Sequence, residues 1–147
     1  MTVQQKIIAT NAPAAVILIR ILVGAVFLSE GIQKFLFAGE LGAGRFAKIG
    51  IPNADFFGPF VGAFEIVCGS FVLLGLFTRL ALVPLLIIIS VAIATTKFAT
   101  LPEKGFWVTA HEGRTDFSML LSIIYLLAVG AGAWSMDARL MRKSHKP

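Results

Sequence analysis

The feature that constrains this chain most is a series of four apolar stretches, each near the ~20 residues a helix needs to cross ~30 Å of hydrocarbon. They run Ala14–Phe37, Ala54–Leu76, Leu80–Ala99 and Phe117–Trp134. In lipid a lone segment must satisfy its own backbone, so each stretch reads as a helix. The chain has 147 residues, 57% of them hydrophobic and only 14% charged, with a mean hydropathy of +0.86. That is too little charge to coat a soluble domain. The expected fold class is all-α: an integral membrane four-helix bundle.

The punctuation between the stretches supports this division. Pro13 suits a first helical turn, with Asn11 before it as a cap. The segment Gly39–Asn53, closed by Ile51-Pro52-Asn53, reads as a loop, and so does Thr100–Arg114 with Pro102, Gly105 and Gly113. The short turn Gly75-Leu76-Phe77-Thr78-Arg79 makes the second and third helices an antiparallel hairpin. The expected organisation is an N-terminal segment 1–13, a transmembrane domain 14–137 and a basic tail 138–147. The first stretch is too long and too charged for a signal peptide, with no clear small-x-small site after it, and is expected to be retained.

Net charge is +5, but no basic helix or basic-aromatic interleaving accompanies it, so nucleic acid is not an expected partner; the lipid bilayer is. One face of the membrane collects Lys6, Arg79, Arg139, Arg142, Lys143 and Lys146 against Asp137 alone. The opposite loops balance Arg45, Lys48, Lys104 and Arg114 with Glu40, Asp55, Glu103 and Glu112. By the positive-inside rule both termini are expected to be cytoplasmic, with Trp107 and Trp134 near opposite interfaces.

Charges inside apolar stretches are the candidate functional residues, because a charge at bilayer depth is costly unless it is paired or faces water. At about 100° per residue, Arg20, Gly24, Phe27, Gly31 and Lys34 lie within roughly 80° of one another, and Glu30 lies roughly 40° beyond Lys34. Glu30 and Lys34 are also spaced i,i+4, which allows an ion pair. In the second stretch Gly58, Glu65 and Val72 share a phase, and Gly58-x-x-x-Gly62 permits close helix approach. Glu65 is near mid-span; Glu30 and Lys34 lie in the outer half, where Lys97 ends the third stretch and Asp116 precedes the fourth. An outward-facing polar pocket of Glu30, Lys34, Glu65, Lys97 and Asp116 is therefore expected, with Arg20 and Asp137 as a structural ion pair or Arg20 held by helix-terminal carbonyls.

Each of these residues also has a structural reading. Glu30 and Lys34 can simply neutralise each other, Lys97 can snorkel, and Asp116 can favour a helix start. Cys68 is alone in an apolar stretch and reads as a packing residue. His111 and His145 offer no haem ligand pair at depth, so no bound metal or haem is expected, and no nucleotide or nucleophile motif is visible.

One ordered set of short motifs goes further. It runs Arg20-x3-Gly24-x2-Phe27-x3-Gly31-x2-Lys34, then Gly50-Ile51-Pro52, Glu65 with Gly69, Gly75-Leu76-Phe77-Thr78-Arg79, and finally Gly130-Ala131-Gly132-Ala133-Trp134-Ser135-Met136-Asp137. In this order and spacing the chain resembles the DoxX family of small four-helix membrane proteins, from Arg20 to Asp137. The family's pattern often carries His where this chain has Glu30, and Glu where it has Asp116. The resemblance implies a multi-pass protein of the bacterial cytoplasmic membrane. Some relatives are subunits of thiosulfate:quinone oxidoreductase or partners in membrane redox complexes. It thus implies a subunit of a redox-linked complex handling a quinone or sulfur compound, with quinone as the cofactor class and another membrane or redox protein, or a second copy, as partner. A non-catalytic accessory or assembly protein is the alternative. Transport of a small anion or protons is the least favoured, since no inverted repeat or broken-helix pair is visible.

Overall fold

A computed structural model describes residues 8–10 and 12–144. Helices make up most of the described residues, in the order α1 (Val16–Leu36), α2 (Ala43–Lys48), α3 (Ala54–Leu74), α4 (Thr78–Ile93), a π-helical turn (Ala94–Phe98), α5 (Leu101–Lys104), α6 (Phe106–Val129) and α7 (Met136–Ser144). The four long helices α1, α3, α4 and α6 pack side by side, and α1 shares its largest interface with α3. Three of the spans, Val16–Leu36, Ala54–Leu74 and Thr78–Phe98, are long and apolar enough to cross a membrane. The side chains confirm the solvent. Leu18, Leu36, Val67, Leu80 and Ile87 all point outward from these helices, an inside-out distribution that water would penalise and lipid does not.

Helix ends depart from the sequence reading in places with clear local causes. The first helix begins at Val16, because Pro13, Ala14 and Ala15 carbonyls accept from Val16, Ile17 and Leu18 N–H at 3.1–3.2 Å, tightening the entry turn. Asn11, expected as its cap, lies outside the described residues, as do Lys6, His145 and Lys146. The segment Gly39–Asn53 is not simply a loop: it contains α2, folded back over one end of the bundle. Most of Thr100–Arg114 is also helical, since Gly105, at a φ of +78°, breaks the chain for only one residue before α6 starts. The fourth long helix therefore begins well before Phe117 and stops at Val129, short of Trp134.

Glycine sets the spacing of the α1–α3 seam. Gly24 faces Gly69, and Gly31 faces Gly62, in two antiparallel layers. A methyl group on Gly24 would come within 2.8 Å of the Gly69 carbonyl oxygen, and one on Gly31 within 2.7 Å of that of Gly62. Lipid tails are as apolar as the helices, so it is this close backbone approach that holds the pair together. Gly58, expected to share the seam with Gly62, instead meets Ala43 of α2, where an added methyl would lie 2.6 Å from the Ala43 nitrogen. The GxxxG thus serves two contacts. The core itself runs through Val23, Phe27, Val72, Leu82, Leu85, Ile123 and Leu126, with Cys68 among them as an apolar packing residue.

Both ends of the described chain return to the same end of the bundle, where polar groups hold the backbone. Arg20 donates from Nε to Val72 O (3.1 Å), from Nη1 to Ala131 O (2.9 Å) and Trp134 O (2.8 Å), and from Nη2 to Leu73 O (3.0 Å). Asp137 accepts from the N–H of Phe77 (2.7 Å) and Thr78 (3.0 Å), capping α4. The expected direct ion pair between Arg20 and Asp137 is not formed. The guanidinium is taken up by carbonyls at the end of α3 and in the Ala131–Trp134 segment after α6, and the carboxylate by orphan N–H groups at the start of α4. The two charges attract each other only through space.

A cavity with a charged wall at the far end of the bundle

Opposite that end, α1 and α3 diverge from α4 and α6 around a cavity of about 600 Å³. The segment from Leu41 to Pro52, α2 included, forms its roof, with Leu41, Phe46, Ile49 and Ile51 facing inward. The walls are mostly apolar and aromatic: Phe27, Phe57, Phe60, Val61, Ile88 and Met119 among them.

One wall carries charge. Lys34 Nζ lies 2.7 Å from Glu65 Oε2 and 3.7 Å from Glu30 Oε2, a carboxylate–ammonium–carboxylate chain joining α1 to α3. Glu65 is 4% exposed, Lys34 11% and Glu30 49%, so the chain runs from the interior to the rim. At 2.7 Å the Lys34–Glu65 contact is a close, charge-assisted ion pair. The sequence arranges this locally. Glu30 and Lys34 stand one turn apart, and the missing side chain of Gly62 lets α1 close in, its absent methyl falling 3.3 Å from Lys34 Cβ. From there Lys34 reaches Glu65, three residues along α3 from Gly62.

The facing wall is polar without net charge. The π-helical turn admits an extra residue and so places both Thr95 and Thr96 on the cavity, joined by Thr115 and Asp116 of α6. Such turns are frequent at functional sites. The Thr95 and Thr96 hydroxyls donate to Val91 O (2.8 Å) and Ala92 O (2.6 Å), leaving their lone pairs as acceptors. Asp116 is matched by Lys97 at 3.3 Å.

Four of the five expected pocket residues, Glu30, Lys34, Glu65 and Asp116, line this cavity. Lys97 does not. Its stem crosses α6 beside Gly113, its Cγ 3.6 Å from where a methyl there would sit, and it neutralises Asp116 from outside the lining. Arg20 and Asp137 belong to the other end. His111 is exposed and away from the cavity. Among the described residues no group of three or more His, Cys, Asp or Glu could hold a metal ion. Sequence reasoning missed Arg45 on the roof and the three threonines; Arg45 had entered only as one charge in the sum over loops.

Comparison with known proteins bears directly on identity. The family model described as DoxX matches residues 15–98. The chain is also 52% identical over 145 residues to an uncharacterised membrane protein of Mycobacterium tuberculosis, covering 95% of this chain and 89% of that one. The chain belongs to the DoxX family. No solved structure matches it.

The bundle now shows what the DoxX-like motifs do here. Gly24, Gly31 and Gly69 make the α1–α3 seam, and Arg20 with Gly75-Leu76-Phe77-Thr78-Arg79 and Ser135-Met136-Asp137 fastens the α3–α4 turn. Arg79 donates from Nε to Leu127 O at 2.9 Å, and Ser135 Oγ accepts from Ala138 N–H at 3.1 Å. These are scaffold contacts. Only Phe27, Lys34, Ile51, Pro52 and Glu65 of those motifs reach the cavity.

Proposed function

We propose that this DoxX-family protein is a subunit of a redox-linked complex in the bacterial cytoplasmic membrane, binding a quinone-class molecule in the cavity at the far end of its bundle. The observation that carries this reading is the Glu30–Lys34–Glu65 chain set into an otherwise apolar cavity large enough for a ring-sized ligand. Reducing a quinone to a quinol takes two electrons and two protons. An ammonium beside the ring oxygen stabilises the negative charge that develops there, and the flanking carboxylates can carry protons. Glu30, half exposed, connects Glu65 to solvent. The electrons come from a partner, another membrane or redox protein, which the exposed helix faces are able to dock.

With both termini cytoplasmic, as the charge sum suggests, the cavity lies in the outer half of the membrane. The test is binding of a short-tailed benzoquinone to the purified protein in nanodiscs, followed by quinone reduction in membranes containing its copurified partner. Glu65→Gln and Lys34→Gln should each weaken binding about tenfold or more, on the order of 1.4 kcal/mol. Unchanged binding in both variants would overturn the reading.

A non-catalytic accessory role is favoured by a different observation: most motif residues are spent on the turn and the seam. In that case charge-neutral substitutions in the cavity would lower accumulation in the membrane while leaving activity per molecule of complex unchanged.

A further inference from the structure

The cavity has two kinds of boundary. Toward the roof it is covered by half-buried Leu41, Phe46, Ile49 and Ile51, with the exposed lining residues Arg45 and Pro52 at the rim. Between α1 and α6 the exposed lining residues are polar, Glu30 and Thr115. Between α3 and α4 they are apolar: Phe57 and Phe60 on one helix, Ile87 and Val91 on the other, each lining the cavity and also exposed on the outer surface, Ile87 to 59%. A side chain that does both stands at an opening. The hairpin explains the gap, since α3 and α4 are fastened at the Gly75–Thr78 turn and, among the described residues, the polar ties there have no counterpart between these two helices at this end. Both helices are among those apolar enough to cross a membrane, so the gap faces hydrocarbon.

We infer that the cavity is entered from the bilayer, between α3 and α4, and that its ligand is a single-tailed amphiphile. Its hydrogen-bonding head meets Lys34 and Glu65, and its tail leaves past Phe60, Ile87 and Val91. The inference rests on the quinone-class reading for the head and adds a tail and a route. Phe57, Phe60, Ile87 and Val91 frame the gap with no charge among them, so a wholly water-soluble substrate has no reason to use it. A tail passing between these side chains exchanges lipid contacts for apolar ones of the same character, so it can stay in hydrocarbon while the head is held inside.

Two measurements separate this inference from the reading beneath it. The first compares decyl-benzoquinone with the tail-less parent ring in nanodiscs, for the native protein, Ile87→Trp, Val91→Trp and Val83→Trp. Val83 is exposed on the same helix but lines no part of the cavity. Filling the gap should weaken the tailed probe about tenfold, leave the bare ring within about twofold, and Val83→Trp should change neither. Equal effects on both probes, or none at Ile87 and Val91, would overturn the route while leaving quinone binding intact.

The second places a photoreactive benzophenone side chain at Ile87 or at Val83 in native membranes and identifies the captured molecules by mass spectrometry. A tailed small amphiphile captured at Ile87, absent at Val83 and lost with Glu65→Gln, supports the route. It does so even if neither quinone probe binds, in which case the quinone reading alone falls. Bulk phospholipid captured alike at both positions would sink the route.

Discussion

Lys34 is the residue on which the cavity's charge balance turns, because it alone touches both carboxylates. Removing it as Lys34→Met leaves Glu65 buried without a counter-charge, which typically costs about 3–5 kcal/mol. The double variant Lys34→Met/Glu65→Leu removes both charges and should recover most of that loss, since a buried pair replaced by apolar groups is often neutral. Denaturation midpoints in detergent would show it: a low single variant and a near-native double one. If the double variant is as unstable as the single, the pair is not what places these side chains. By contrast, the exposed pair Lys104–Glu112 at 2.8 Å should count for little. The Lys104 hydrogen bond holds the Glu112 carboxyl below its usual range, so this pair's contribution exists above the ordinary carboxylate pKa and is lost as pH falls through the lowered one. Lys104→Ala should leave the midpoint at neutral pH unchanged. Helical phase made the Glu30–Lys34–Glu65 grouping legible, because it needs only positions on two helices. It could not place Lys97, whose direction depends on the π turn, nor Arg45, whose position depends on how α2 folds over the bundle.

At the scale of elements, the seam between α1 and α3 sets how close Lys34 comes to Glu65. Gly31→Leu would drive a side chain into the Gly62 carbonyl and the backbone of Ile66, 2.7 and 2.9 Å from the first added carbon. The helices must part, so this variant should lose stability and ligand together. The turn at the other end makes a contrasting case. Asp137→Asn keeps one acceptor for the Phe77 or Thr78 N–H but removes the charge, and Phe77 sits at a φ of +45°, a strained position for a side chain that large. Expected here is a stability lower by on the order of 1–3 kcal/mol, with binding of the benzoquinone probe per folded molecule the same as in the native protein. Loss of affinity in well-folded Asp137→Asn would mean that the two ends are coupled. The sequence was informative about the long apolar helices because lipid makes hydrophobic length decisive. It was least informative where glycine and proline punctuate, around α2 and before α6. There a short helix and a loop carry the same residues, and tertiary packing, such as Gly58 against Ala43, decides between them.

At the scale of the whole molecule, the arrangement in the membrane follows from where the charges and the cavity lie. Arg79, Arg139, Arg142 and Lys143 cluster at the end holding the α3–α4 turn and α7, and exposed Trp134 stands among them as an interfacial anchor. The cavity is at the opposite end, under a roof whose Arg45 and Lys48 are offset by Glu40 and Asp55. Three helices are long and apolar enough to span, whereas the early turns of α6 carry His111, Glu112, Arg114 and Asp116. For α6 to cross as well, its polar start must sit in the far interface, with Ala131–Trp134 completing the passage to the near one. That arrangement makes a definite prediction. In a Cys68→Ala background, single cysteines at Lys48, Glu103 and Lys143 should report sidedness in intact cells through a membrane-impermeant thiol reagent. Lys48→Cys and Glu103→Cys should label from outside, and Lys143→Cys only after permeabilisation. Labelling of Lys143→Cys from outside together with Lys48→Cys would mean an odd number of crossings, with α6 lying along the surface and Asp116 no longer beneath the roof. Reversed sidedness at all three positions would keep the bundle but turn the Glu30 rim toward the cytoplasm, so that the proposed proton exchange would open to that side instead.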